Sequence, residues 1–236
     1  MIDLSKISYL LFDIEGTIAP ISFVHEVLFP YSQKHLVEFL KNNSLDEVLF
    51  NNLKAENEKD TKEDKYHKTI VSLDDTIEYL QFLIKVDRKS PSLKEIQGRI
   101  WKFGYESGEL KSTIFSDAIE FFHKYSKDKK LGIYSSGSML AQKLILQYSE
   151  SGDLTSLFSN YFDTEVGGKR ESKSYSTIAT RLGLAPEKIL FFTDILEEGI
   201  AAKNSKFFVY LVSRVGNSPI QKDSDFPIIE NFLRLE

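Results

Sequence analysis

Tyr9-Leu10-Leu11-Phe12-Asp13-Ile14-Glu15-Gly16-Thr17 is the stretch on which the fold turns. Four apolar residues deliver two acids one residue apart, followed at once by Gly and Thr. Residues two apart on a strand point the same way, but a turn opening at Gly16 redirects Glu15 without moving Asp13. Close carboxylates repel unless a cation or a proton sits between them. Mg²⁺ takes one or two carboxylates together with waters and substrate phosphate oxygens, and such a pair suits it. Taken alone, these residues also read as a strand that happens to end in surface acids.

Three more apolar runs extend the pattern: Leu131–Tyr134, Ile189–Thr193 and Phe207–Val212. Like Tyr9–Ile14 they are nearly continuous rather than alternating, as parallel strands covered on both faces are. Helical periods lie between them. Tyr175, Ile178, Ala179 and Leu182 recur at helical spacing, with Gly183 placed to stop the helix. Leu140, Leu144 and Tyr148 line one face of 139–148. Strands alternating with helices predict an α/β fold with a doubly wound, Rossmann-like parallel sheet, whose ligands bind at the carboxyl ends of the strands.

Residues 20–115 break this alternation. Leu36, Phe39 and Leu40 form one helical stripe, and Ile77, Leu80 and Ile84 another, after the capping-box-like Ser72-Leu73-Asp74-Asp75. Ser92-Leu93-Lys94-Glu95 reads as the opening of a helix containing Ile96, Ile100 and Trp101. The mixed-charge run Lys54–Lys68 reads as a solvated helix face or loop. The expected organisation is a core of 1–19 with 116–236, interrupted by an all-helical insertion over 20–115.

The 236 residues suffice for one such core and one insertion. A net charge of −5 argues against a broad surface for nucleic acid or anionic membrane. With no cysteine, disulfides and thiolate chemistry are excluded. The first residues lack the basic and apolar regions of a signal peptide, and no apolar run approaches the roughly 18 residues of a membrane span. A cytoplasmic protein is expected.

The strand ends are more telling than any single motif. Asp13 closes the first run, Ser135-Ser136-Gly137-Ser138 follows the second, and Thr193-Asp194 closes the next to last, with Glu197 and Glu198 behind it. Gly167-Gly168-Lys169-Arg170-Glu171 lies between. Parallel strands bring such ends to one edge, where an acid nucleophile, a hydroxyl, an ammonium and a second acid would converge. Singly, Ser135, Ser136 and Asp194 also read as helix caps, and Lys169 as a surface lysine.

In this order Asp13/Glu15, Ser135, Lys169 and Asp194/Glu198 resemble the signature of the haloacid dehalogenase superfamily of phosphotransferases. A helical insertion after the first motif is similar to that superfamily's type 1 cap. The usual second acid there is Asp, so Glu15 departs from the common pattern. With Pro20-Ile21-Ser22-Phe23-Val24 and Leu28-Phe29-Pro30-Tyr31 behind it, the departure resembles the enolase-phosphatase (acireductone synthase) family of methionine salvage. Ile100-Trp101-Lys102-Phe103-Gly104-Tyr105, Gly108-Glu109-Leu110, Tyr134–Ser138 with Ala141–Leu144, and Gly168–Glu171 with Ser174-Tyr175 extend the match over residues 9–203. Lys203-Asn204-Ser205 stands where the family usually has an Ala-Gly pair.

The resemblance implies a Mg²⁺-dependent enzyme acting on a small phosphorylated diketone, 2,3-diketo-5-methylthiopentyl-1-phosphate, by enolisation and then dephosphorylation. Asp13 would be the nucleophile, with Glu15 moving protons, and Asp13, Glu15 and Asp194 would hold the metal. Ser135, Ser136 and Lys169 would bind substrate, and Glu198 would orient waters. The enolisation base stays open between Glu15 and a residue of Trp101–Leu110. Trp101, Phe103 and Tyr105 read first as packing residues, and His25 and His35 as structural or exposed. A related phosphatase for another small metabolite is the alternative; a dehalogenase would not need metal acids at Glu15 and Asp194. A site built from one chain implies a monomer, with no nucleic-acid or membrane partner.

Overall fold

The computed structural model describes residues 2–220 and 225–235. The chain forms two compact units, one of 1–24 with 110–236 and the other of 25–109. The expected insertion of 20–115 starts and ends a few residues outside the second unit.

The first unit is built on β1 (Tyr9–Phe12), β2 (Lys130–Tyr134), β3 (Phe158–Phe162), β4 (Ile189–Thr193), β5 (Phe208–Val212) and β6 (Ile228–Ile229). They form one six-stranded sheet in the order β3-β2-β1-β4-β5-β6, with parallel pairing throughout. Its helices are α5 (Ser116–Tyr125), α6 (Met139–Gln147), α7 (Ser172–Leu182) and α8 (Leu196–Asn204). Because strand side chains alternate between faces, neighbouring residues serve different layers. Leu11 and Phe191 join Tyr175, Ile178, Ala201 and Ala202 of α7 and α8 in one buried cluster. Phe12 and Phe192 stack at 5.0 Å on the other face, where Phe12 also meets Phe122 of α5 at 5.1 Å. Each of these rings is fully buried, and removing one costs about 3–5 kcal/mol. Gly183 ends α7 in the left-handed conformation (φ 65°), as its position predicts.

β3 and β6 are not among the expected strands. β3 reads Phe-Ser-Asn-Tyr-Phe with only its two end residues buried, so it lacks the continuous apolar run of an inner strand. Strand order reverses at β1, since the chain passes to β2 and β3 on one side and returns to β4 on the other. Ligand crevices open at the carboxyl ends of strands at such a reversal.

The second unit is helical: α1 (Phe29–Asn42), α2 (Glu47–Lys62), α3 (Leu73–Lys85) and α4 (Pro91–Glu106), around a core that includes Leu36, Leu53, Leu80, Ile96 and Ile100. Ser72 caps α3 as expected, accepting from Asp75 N–H at 3.2 Å. α4 opens earlier than its sequence suggests. Ser90 is the cap and Pro91 the first helical residue, where the missing N–H costs nothing. The charged run Lys54–Lys68 is only partly a solvated face. Asp60, 1% exposed, accepts from Arg88 at 2.7 Å and Tyr79 at 2.8 Å. Buried Asn57 donates to Lys68 O and accepts from Ile70 N–H, pinning the segment before α3. Trp101 and Tyr105 are buried, and Trp101 donates to Leu28 O at 2.7 Å, whereas Phe103 is exposed.

Candidate active site

Register places the acids. Phe12 pairs with Ile133 of β2 and with Phe192 of β4, so the next residues, Asp13, Tyr134 and Thr193, are level across three adjacent strands. Asp13 N–H donates to Phe192 O at 2.9 Å, carrying the ladder one step past β1. Asp13 is 4% exposed. Burying a carboxylate is unfavourable unless it is paired, and its partner is Lys169, whose Nζ lies 2.6 Å from Asp13 Oδ1 and 2.7 Å from Glu198 Oε2.

Lys169 is held by its backbone. Three successive carbonyls are taken by hydroxyls: Gly167 O by Tyr134 at 3.0 Å, Gly168 O by Ser174 at 2.8 Å, and Lys169 O by Tyr175 at 2.7 Å. The ammonium also lies 5.9 Å over the Tyr134 ring. Glu198 projects back from the first turn of α8, and its Oε2 accepts a second hydrogen bond from Thr193 Oγ1 at 2.7 Å. Glu198 therefore pairs directly with the lysine. Nothing in the spacing of Tyr134, Ser174, Tyr175 or Thr193 marks them as the hydroxyls that set Lys169. The one hint is that three of them fall inside the family-like blocks.

Charge at the site is unbalanced. Burial pushes the Asp13 carboxyl well above the carboxylate range; Lys169 opposes this, and the charges of Glu198 and Asp194 add to it. Burial also lifts Asp194 to about 6, with Glu198 and Glu15 contributing and Lys169 opposing. Burial alone would weaken the hold of the Lys169 ammonium on its proton, but Asp13 and Glu198 more than reverse that, so it stays charged. Three carboxylates, Asp13, Glu198 and Asp194, thus sit within electrostatic reach of one ammonium that two of them already share, and Glu15 adds its charge beside Asp194. Such an excess of oxygen anions at a strand edge fits a hard divalent cation. Among the described residues no three acidic or histidine side chains form a ligand set by themselves. The fit is therefore to two carboxylates completed by other oxygens, a regular arrangement for Mg²⁺.

Gly16 makes the crowding possible. Its φ of 70° lies in the left-handed region, and a Cβ there would stand 2.4 Å from Asp194 Oδ2. The turn closes through Gly16 N–H to Ala19 O and through Thr17, Ile18 and Ala19 N–H groups that all donate to Ile14 O. Ser135 is buried at the end of β2, where its N–H donates to Phe162 O and its Oγ accepts from Gly137 N–H. Ser136 is exposed, and Ser138, not either of these, caps α6. Asp13, Lys169, Asp194 and Glu198 thus converge, Glu15 contributes charge from the turn, and Ser135 lies on the adjacent strand end.

Residues 7–206 match the family model described as haloacid dehalogenase-like hydrolase. The "Enolase-phosphatase E1" of Leptospira borgpetersenii serovar Hardjo-bovis (strain JB197) is 53% identical over 224 residues, covering 94% of this chain and 95% of that protein. The protein of the same name from Synechococcus sp. (strain CC9902) is 43% identical over 238 residues, 95% of this chain and 96% of the relative. Among solved structures, the UTR4 protein of Saccharomyces cerevisiae superposes with a TM-score of 0.81 at 34% identity, covering 97% of this chain and all of that one.

Proposed function

We propose a specific reaction for this chain, which belongs to the haloacid dehalogenase-like hydrolases and, within them, to the enolase-phosphatases. The enzyme is a phosphatase of methionine salvage. Its substrate is 2,3-diketo-5-methylthiopentyl-1-phosphate, converted to the acireductone 1,2-dihydroxy-3-keto-5-methylthiopentene and phosphate. The observation that carries this reading is the buried Asp13–Lys169–Glu198 array beside Asp194 at the sheet edge.

An Asp13 oxygen attacks phosphorus, forming an aspartyl-phosphate as the bond from phosphorus to the substrate oxygen breaks. Glu15 delivers the proton to that oxygen and then takes one from the water that hydrolyses the acyl phosphate, which restores Asp13. Lys169 faces the charge spreading over the phosphoryl oxygens, where a dry pocket strengthens its effect. Ser135 and Ser136 donate hydrogen bonds to those oxygens. Mg²⁺, held by Asp13, Asp194 and Glu15 (through side chain or main chain), would screen nucleophile from phosphate and polarise the ketone. The preceding enolisation removes the proton beside that ketone, and within this unit Glu15 is the candidate base. We place the enzyme in the cytoplasm as a monomer; among the described residues no helix is long and apolar enough to cross a membrane.

The test supplies the diketone phosphate with Mg²⁺ and follows enediol absorbance and free phosphate together. Both should rise in the wild type. Asp13→Asn should release no phosphate while keeping its circular dichroism. Turnover in that variant would overturn the covalent route, and phosphate without an enediol product would make the substrate a different phosphorylated metabolite.

A further inference from the structure

The turn that carries Glu15 is gripped from outside by a segment far away in sequence. After β5 the chain makes a tight turn over Arg214-Val215-Gly216-Asn217, closed by Asn217 N–H donating to Arg214 O at 3.2 Å, with Gly216 at φ 94°. The residues at its two ends reach successive carbonyls of the acidic turn. Asn217 Nδ2 donates to Gly16 O at 2.7 Å, and Arg214 Nε donates to Thr17 O at 3.2 Å. The other ends of the same two peptide groups, Thr17 N–H and Ile18 N–H, are already bound to Ile14 O. Each peptide plane is thus fixed at both edges.

Arg214 is anchored in turn. It pairs with Asp117 at 3.0 Å, donates to Glu230 O at 3.0 Å, and lies 4.2 Å over the Phe115 ring. Gly16 is packed between Asn217 and Asp194, since a Cβ on it would stand 2.9 Å from Asn217 Nδ2 and 2.4 Å from Asp194 Oδ2. The cluster is not an optimal stabilising device. Of the five buried side-chain polar atoms without a hydrogen-bond partner among the described residues, three belong to it: Thr17 Oγ1, Arg214 Nη2 and Asn217 Oδ1. Each such atom is destabilising, so an apolar contact would hold the loop more cheaply. What these polar groups supply instead is a fixed direction for two carbonyls.

We infer that Asn217 is a positioning residue of the active site: it sets the Gly16 peptide, and through it the placement of Glu15 and the spacing of the turn from Asp194. This rests on the phosphatase reading above. It is tested on the full-length enzyme by titrating Mg²⁺ alone calorimetrically, and by measuring kcat, KM and the melting temperature of Asn217→Ala. The expected result is Mg²⁺ affinity and kcat each lower by about ten-fold, the usual scale when a group orienting a metal ligand is lost. KM should hardly change, and melting should fall by only about 2–4 °C, the effect of one hydrogen bond in a chain of this size. Val215→Ala, at the fully exposed tip of the same turn, should match wild type. Affinity and kcat within two-fold of wild type in Asn217→Ala would overturn the inference. So would a loss that disappears on cooling in step with the folded fraction, because that is a purely structural role. Failure of the wild type itself to release phosphate would instead defeat the phosphatase reading.

Discussion

Asp194→Asn should make the metal-free protein more stable. The Asp194 carboxyl sits at about 6 against an ordinary 3.8, chiefly through burial and then through Glu198 and Glu15. A shift of that size corresponds to roughly 3 kcal/mol at 1.36 kcal/mol per pH unit, and to about 2 kcal/mol once its remaining contact with solvent is allowed for. The sign follows from linkage. A carboxyl whose pKa is raised on folding binds its proton more tightly in the native state, so ionising it opposes folding. The penalty is absent below about pH 4, grows between pH 4 and 6, and is complete above 6. Asparagine keeps the shape and removes the charge. In chelator at pH 8 the variant should melt about 4–8 °C above wild type, given about 2–4 °C per kcal/mol for a chain of this length. At pH 4 the difference should vanish. If Mg²⁺ is held by Asp13 and Asp194 as proposed, saturating Mg²⁺ should reverse the order, because the variant lacks one of the two carboxylates and ligand at about a hundred times Kd stabilises by about 2.7 kcal/mol. Scanning calorimetry at the two pH values, with and without metal, decides the matter. A variant that melts at or below wild type in chelator at pH 8, or that gains as much at pH 4, would refute the charge-crowding argument.

Two further substitutions test separate parts of the molecule. Lys169→Met leaves Asp13 and Glu198 buried without their shared cation, and removing a preorganised donor of this kind lowers kcat by about 10²–10³-fold, read as phosphate release. Arg88→Ala leaves Asp60, 1% exposed, with only the Tyr79 hydroxyl as its side-chain donor; losing one partner of a buried polar group costs about 1–3 kcal/mol, visible as a lower urea midpoint.

The inner strands were legible because both their faces are covered, so β1, β2, β4 and β5 read as unbroken apolar runs. β3 was not, because its middle residues Ser159, Asn160 and Tyr161 reach solvent and interrupt the run. The α4 cap shows a similar limit. Ser90 and Ser92 are equally good N-cap types, and only Pro91 between them, which favours the first helical position, separates the two. In the site, Asp13, Lys169 and Asp194 each read singly as a surface or cap residue, and it is their order along the chain, matched through the family resemblance, that leaves a mark. The groups that hold those residues leave none. Tyr134 lies 33 residues from the carbonyl it binds, and Asn217 lies 201 residues from Gly16. Local pattern carries no information about such pairs, whereas the sheet order creates them.

The site's electrostatics also say why neither charge carrier suffices alone. Lys169 looks like an anion receptor in sequence, yet its ammonium is already shared by Asp13 and Glu198 at 2.6 and 2.7 Å. A phosphate dianion approaching that lysine meets the fields of Asp194 and Glu15 as well, and the low-dielectric surroundings that strengthen attraction strengthen this repulsion equally. A divalent cation held by the proposed acids would, without phosphate, have to complete its shell from other oxygens. Each charge therefore lowers the cost of admitting the other, and the coupling is reciprocal: phosphate must tighten the cation by the factor by which the cation tightens phosphate. The buried lysine is best understood as the group that keeps Asp13 and Glu198 compatible with a folded sheet edge until both partners arrive. Glu198, itself held by Thr193, then shares with Asp13 the direction in which that charge points.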